Sequence, residues 1–129
     1  FEALEPFVTV YGSGLVNVNT ASREVLLALA LAGGSDEAAC RSVVERLVGH
    51  QDAGNVFKSR KDMTDWRRSV DLSSAERRAF SRMLSALDVG STCFRGEAVG
   101  SVSADARDVG RIQFVYDRQK RTRVFWYEF

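Results

Sequence analysis

The amino-acid sequence predicts an α+β protein in which a small helical lobe precedes a three-stranded antiparallel sheet. Up to about residue 88, apolar side chains recur at the spacing of amphipathic helices. Beyond that point they alternate with polar side chains, as in a strand. The chain has 129 residues, 45% of them hydrophobic, so it can bury a core. We expect an entry strand and linker at 1–14, a helical lobe at 15–88 and sheet strands at 89–129.

The first segment reads as extended chain. Pro6 disfavours a helix interior, and β-branched and aromatic residues follow it over residues 7–11. The run Gly12-Ser13-Gly14 is typical of a break. A short entry strand at residues 4–11 is therefore expected.

The next two segments predict a helical hairpin. Asn19 and Thr20 are good N-cap residue types, with Ser22 as an alternative, so the first helix should run from about residue 21 to 31. It is apolar on nearly every side and should be mostly buried. The second helix should start at Ser35, after two glycines, and bury one face formed by Cys40, Val43, Val44 and Leu47. A polar loop is expected at residues 49–55.

Two capping boxes predict two further helices. Ser59 with Asp62 precedes a short helix that carries Met63 and Trp66. Ser73 with Glu76 precedes a helix with an apolar stripe, formed by Phe80, Met83, Leu84 and Leu87.

The remainder predicts three strands and two connections. Alternation starts at Thr92 and Phe94, residues 100–110 read as a loop, and two alternating runs flank a turn at residues 117–120. Three short strands form a marginal sheet alone. Unless these strands pack on the helices, we expect a further strand or a long helix from elsewhere, which suggests sequence that precedes Phe1.

Several functional classes are disfavoured by composition. Net charge is +1, which indicates neither an acidic nor a basic partner. His50, the only histidine, falls in the predicted polar loop without a nucleophile pattern, so we expect no catalytic residues and no enzyme. Cys40 and Cys93 do not form a metal pattern, and they are either buried thiols or a disulfide. No run approaches the roughly 20 apolar residues of a membrane span.

The most informative motif comprises Asn17, Asn19, Thr20 and Ser22, with Phe57 further along the chain. The asparagine side chains can hold the entry turn by bonding to nearby backbone. The phenylalanine should pack back over the helical hairpin. This set is the predicted structural motif.

One family with such a motif is the helix-hairpin-helix DNA-binding domains, and it is the alternative function. The connection at residues 31–37 lacks the apolar residue between two glycines that such a hairpin has. It also places Asp36 and Glu37 where phosphates would approach. The basic residues between 58 and 82 are interleaved with acids. Nucleic acid is therefore not the expected partner.

The chain resembles the K-type minor pseudopilins of type II secretion over nearly its whole length. The resemblance is carried by residues 6–10, by 17–22 with Val25 and Leu26, by 57–62, by 91–94 with Ala98, and by the terminal hairpin from Val115 to Trp126. It implies a SAM-like helical lobe joined to strands of a pseudopilin core. The combination with sheet strands distinguishes it from the DNA-binding hairpins.

The resemblance also implies a function and a location. Members of this family sit at the tip of the periplasmic pseudopilus with the I- and J-type minor pseudopilins and support protein export across the outer membrane. A missing N-terminal helix would anchor the protein in the inner membrane. Family members can bind calcium, but Asp105, Asp108 and Asp117 match no motif, so no cofactor or metal ligand is assigned.

Overall fold

The computed structural model describes residues 11–33, 36–101 and 109–129, which divide into two compact units. The helical unit spans Gly14–Gly90, and the sheet unit contains the residues up to Ser13 and Ser91–Phe129. The predicted entry strand falls outside the described residues except for Tyr11. Gly12 and Gly14 have φ angles of 109° and 78°, the region that favours glycine, so they form the expected break.

The helical unit contains four helices and two very short strands. In chain order these are β1 (Val16–Asn17), α1 (Arg23–Ala32), α2 (Glu37–Asp52), α3 (Arg60–Ser69), α4 (Ser74–Met83) and β2 (Leu87–Asp88). β1 and β2 pair in parallel, with Val16 opposite Leu87. Two-residue strands have no readable period, so this pair was not predicted, and the prediction that Leu87 belongs to a helix is wrong.

α1 begins and ends slightly later than predicted, and α2 is longer. Ser22 is the N-cap of α1, so the helix starts two residues after the expected position. Asp36 caps α2 by accepting a hydrogen bond from the Ala39 amide at 2.9 Å. The predicted start at Ser35 lies outside the described residues. α2 continues through Gly49 to Asp52, so the loop predicted from residue 49 starts too early. One helical glycine costs only about 1 kcal/mol.

Both predicted capping boxes are confirmed. Ser59 and Asp62 exchange side-chain to backbone hydrogen bonds at the start of α3, and Ser73 and Glu76 do so at the start of α4. These caps fix where the two helices begin, which positions Met63 and Phe80 toward the core.

The core of the helical unit is formed by one face of each helix. The predicted face of α2 is fully buried, from Cys40 to Leu47. In α1 only Leu26 and Ala30 are fully buried, and Leu31 is 38% exposed, so the expectation of a mostly buried helix is wrong. An apolar helix on the outside of a small unit has too few neighbours to bury every side. The core residues are Val18, Leu26, Ala30, Cys40, Val43, Val44, Leu47, Phe57, Met63, Leu72, Ala79, Phe80, Met83 and Leu87.

The sheet unit is a three-stranded antiparallel sheet in the order β3 (Cys93–Ser101), β4 (Val109–Asp117) and β5 (Thr122–Glu128). The β4–β5 hairpin matches the prediction. β3 and β4 reach into the predicted loop at residues 100–110, of which 102–108 lie outside the described residues. With four helices and this sheet in the described part of the chain, the α+β class is confirmed.

The register of the sheet defines two faces. Directly paired residues share a face, and a bulge between Val115 and Tyr116 leaves Tyr116 opposite Arg123. We call one side the Phe114 face, which carries Phe94, Gly96, Ala98, Ile112, Phe114, Tyr116, Arg123, Trp126 and Glu128. The other is the Val115 face, which carries Cys93, Arg95, Val115, Phe125, Tyr127 and Phe129.

Large apolar side chains are exposed on both faces of this sheet. Trp126 is 44% exposed on the Phe114 face, and Phe125 is 42% exposed on the Val115 face. β5 is exposed along its whole length. A sheet of soluble protein normally buries at least one face. Within the described residues, this sheet closes no core of its own.

Candidate functional site

Asn17 shapes the turn that leads into α1. Its Oδ1 accepts a hydrogen bond from the Asn19 amide at 3.0 Å. Its carbonyl oxygen accepts from the amides of Thr20 at 3.2 Å and Ala21 at 2.9 Å. Asparagine favours such turns because its short side chain can bond to the backbone two residues further on. The turn aims the Asn19 side chain across the unit.

Asn19 joins three distant segments of the chain through one carboxamide group. Its Nδ2 donates to the carbonyl oxygens of Phe57 and Val89, each at 2.9 Å. Its Oδ1 accepts from the Phe57 amide at 2.9 Å. These partners lie 38 and 70 residues away along the chain. Asn19 therefore links the entry to α1 with the α2–α3 connection and the end of the helical unit.

The capping role predicted for Asn19 and Thr20 belongs to Ser22. The Ser22 Oγ accepts from the Val25 amide at 3.4 Å, which is long for a cap. Thr20 is exposed and lies in the turn before the helix. The alternative cap, Ser22, is confirmed, whereas Asn19 and Thr20 do not cap the helix because the turn at Asn17 delays its start.

Phe57 is the apolar part of the motif. It is 3% exposed, and its ring stacks on the His50 ring at a centroid distance of 4.4 Å. The Trp66 ring contacts it edge-on at 6.0 Å. The prediction that His50 falls in a polar loop is wrong, because α2 extends past residue 50 and carries the imidazole onto the Phe57 ring. The Asn19 side chain thus fixes the Phe57 backbone, while the Phe57 side chain packs in the core.

Two residues that the sequence motif omitted reinforce the same region. Gln51 Nε2 donates to the carbonyl oxygens of Val18 at 2.6 Å and Ala21 at 3.3 Å. Arg60 donates to the carbonyl oxygens of Leu84 and Leu87 at 2.7 and 2.6 Å. Main-chain acceptors this far away leave no pattern in the sequence, so neither contact was detectable from spacing.

Glu76 is a buried acid that connects α4 to α2. Its carboxylate accepts from the Ser42 hydroxyl at 2.5 Å and the Ser73 amide at 2.7 Å, and Arg46 lies 3.3 Å away. The Ser42 hydrogen bond, followed by the Ser73 amide, lowers the pKa of Glu76 to about 2. The capping role was predictable, whereas the link to α2 was not. The carboxylate is ionised at neutral pH.

The polar residues described above, Asn19, Gln51, Arg60 and Glu76, hold segments of the helical unit together, which is a structural role. The described part of the chain has no buried side-chain nitrogen or oxygen without a hydrogen-bond partner. In the described ranges, no group of three or more His, Cys, Asp or Glu side chains is arranged so that it could hold a metal ion. The Asp117 carboxylate accepts from the amides of Gln119 and Lys120, while Asp105 and Asp108 lie outside those ranges.

Both cysteines are free thiols. Cys40 is buried, and its Sγ donates to the Ala30 carbonyl oxygen at 3.3 Å, between α2 and α1. Cys93 is partly buried at the start of β3. The buried-thiol interpretation is therefore confirmed for Cys40 but not for Cys93, and the two residues form no disulfide.

Several cations considered for a DNA-binding surface bond within the helical unit. Arg77 donates to the Leu72 carbonyl oxygen at 3.0 Å, and Arg82 donates to that of Gly33 at 2.6 Å. Arg60 donates to the carbonyl oxygens of Leu84 and Leu87, as described above. Asp36 also places a carboxylate at the N-terminus of α2. These contacts leave fewer guanidinium groups for phosphate, and the acid repels it. Residues 34–35 of the hairpin lie outside the described ranges.

No protein-family profile matches this chain, and neither the curated proteins nor the solved structures give a significant match. Within the described residues, no helix combines the length and the apolar character needed to cross a membrane.

Proposed function

We propose that this chain is the C-terminal periplasmic part of a K-type minor pseudopilin, which caps the tip of the type II secretion pseudopilus. The proposal rests on the observation that the chain contains two units that differ in how well they bury their apolar side chains. The helical unit has a closed core, whereas the sheet unit exposes aromatic side chains on both faces. A sheet of this kind fits a protein whose core is completed by a further element and by neighbours in an assembly.

The helical unit suits a blocking role. The β1–β2 pair and Asn19 join the two ends of this unit, and Glu76 joins α4 to α2. The unit is therefore bulky and held together at several points. Placed above a growing filament, such a unit would prevent another subunit from stacking. It needs no catalytic group for this, so the proposed protein is not an enzyme.

The sheet unit suits the packing role. A long N-terminal helix would cover one face and anchor the full-length protein in the bacterial inner membrane. The I- and J-type minor pseudopilins would contact the remaining surface. The resemblance supplies these partners, and the exposed Phe94, Trp126 and Phe125 supply the surface on which such contacts would form.

Deletion of the gene in the bacterium that encodes it tests the proposal. Type II substrates should then accumulate in the periplasm, and a plasmid copy of the complete gene should restore their release. A matched pair of copies sharpens the test: Thr20→Ala should restore secretion fully, whereas Asn19→Ala, which breaks the three long-range hydrogen bonds, should restore it poorly. Unchanged secretion in the deletion strain would rule out the tip role.

A further inference from the structure

An open cleft of about 500 Å³ lies on the Phe114 face beside the β4–β5 turn. Its lining combines aromatic rings with cations: Phe114, Tyr116, Arg121, Thr122, Arg123 and Trp126. The Phe114 and Trp126 rings lie 6.5 Å apart and nearly parallel. The Arg123 guanidinium lies over the Trp126 ring at 4.7 Å. The cleft therefore has an apolar floor with a positively charged border.

Two acids, Asp117 and Glu128, lie near this border, but their side chains bond to other groups and not to its two arginines. Among the ion pairs of the described residues, none involves Arg121 or Arg123. Asp117 pairs with Lys120 at 3.8 Å. Glu128 accepts from the Trp126 indole nitrogen at 2.9 Å, and it lies two residues beyond Trp126 along β5, away from the turn. A ligand that supplies negative charge would complement this border.

The backbone at Arg121 provides a second, independent observation. Its φ angle is 52°, which makes it the one non-glycine residue in the left-handed region among those the structure describes. Glycine or asparagine is ordinary at such a turn position, and another L-residue there costs about 1–2 kcal/mol. Strain of this kind points to a use for the side chain that the turn itself does not require.

We propose that this cleft binds an acidic peptide segment of a partner protein. Carboxylates of the segment would bond to the guanidinium groups of Arg121 and Arg123, because arginine matches a planar carboxylate with two parallel donors. An apolar side chain next to the carboxylate would pack on Trp126 and Tyr116. We favour a peptide because the cations lie beside stacked aromatic rings, which suit a carboxylate with a neighbouring apolar side chain.

This assignment goes beyond the tip role and does not depend on it. The tip role requires exposed sheet surface, but it does not specify the charge of what binds there. Because the lining residues all belong to the β4–β5 hairpin, the cleft would bind an acidic segment in any protein that contained this hairpin.

Fluorescence anisotropy of the full chain with a labelled peptide of alternating glutamate and leucine tests the proposal. Arg121→Gly and Arg123→Gln should each weaken binding about tenfold, the effect of losing one charge-assisted hydrogen-bond pair. Arg121→Gly should fold at least as stably as the wild type, since glycine suits this φ angle. Arg95→Gln, an equal charge change on the Val115 face, should leave affinity unchanged.

The outcomes separate the alternatives. A peptide in which glutamine replaces glutamate should bind at least tenfold more weakly, and added salt should weaken the glutamate peptide. Equal loss in Arg95→Gln and Arg121→Gly, or equal binding of the glutamine peptide, would overturn the proposal. So would Arg121-dependent binding to phosphatidylglycerol vesicles without peptide binding, which would assign the cleft to a membrane.

Discussion

Replacing Asn19 with alanine removes three hydrogen bonds that join segments 38 and 70 residues apart. Each such bond contributes about 1 kcal/mol net, so the variant should lose about 3 kcal/mol of unfolding free energy. A small domain has about 5–15 kcal/mol in total. The loss would therefore be a large fraction of the stability of the helical unit.

Thr20→Ala provides the matched control, because Thr20 is exposed and adjacent in sequence. It should change stability by less than about 0.5 kcal/mol. Asn19→Asp is a sharper variant: it retains an oxygen for the Phe57 amide but loses both donated hydrogen bonds and brings negative charge toward two carbonyl oxygens. It should be at least as unstable as the alanine variant at neutral pH.

Urea unfolding followed by the far-ultraviolet helical signal measures this effect, since every helix of the described chain belongs to the helical unit. With a slope of about 1.5 kcal/mol/M, the Asn19→Ala midpoint should fall by about 2 M. If Asn19→Ala and Thr20→Ala unfold at the same urea concentration, the linking role assigned to Asn19 is wrong.

Two further predictions concern Glu76 and Gly96. Glu76 has its pKa lowered from 4.5 to about 2, so it contributes roughly 3 kcal/mol above pH 4.5, and this contribution is lost as pH falls toward 2. Thermal melts should show Glu76→Gln destabilised at pH 7 but nearly equal to wild type near pH 2. The exposed Glu37→Gln loses only a surface pair with Arg41 and should change stability by less than about 1 kcal/mol. A gap for Glu76→Gln that does not change with pH would contradict this. A Cβ at position 96 would lie 2.8 Å from both Cε atoms of the Phe114 ring, so Gly96→Ala should displace this ring and alter Trp126 fluorescence. Gly100→Ala, which meets nothing within 4 Å, should do neither, and equal behaviour of the two glycine variants would refute the assigned ring position.

Local signals allowed the element types to be predicted from the sequence. The capping boxes at Ser59 and Ser73 each involve residues three positions apart, so they are visible in the sequence and appear in the structure. The buried face of α2 repeats at helical spacing for the same reason. The alternation around Phe114 and Trp126 likewise revealed the hairpin.

The missed features depend on contacts between distant segments. The β1–β2 pair joins residues about 70 positions apart and has no period. Asn19 belongs to the predicted motif, but its partners are main-chain groups that no side-chain pattern reveals. The end of α2 was predicted too early because Gly49 suggested a break. The start of α1 was also predicted too early, because several cap-forming residue types occur together there. The positively charged cleft went unnoticed because the bulge at Tyr116 brings Arg123 beside Trp126.

Affinity purification of the protein, expressed from its complete gene in its own bacterium, tests the central proposal most directly. The account predicts that the I- and J-type minor pseudopilins are recovered with it in a stable complex after mild detergent extraction. Recovery of an I–J complex that lacks this protein, in cells where the protein is folded and abundant, would contradict the proposed place at the pseudopilus tip.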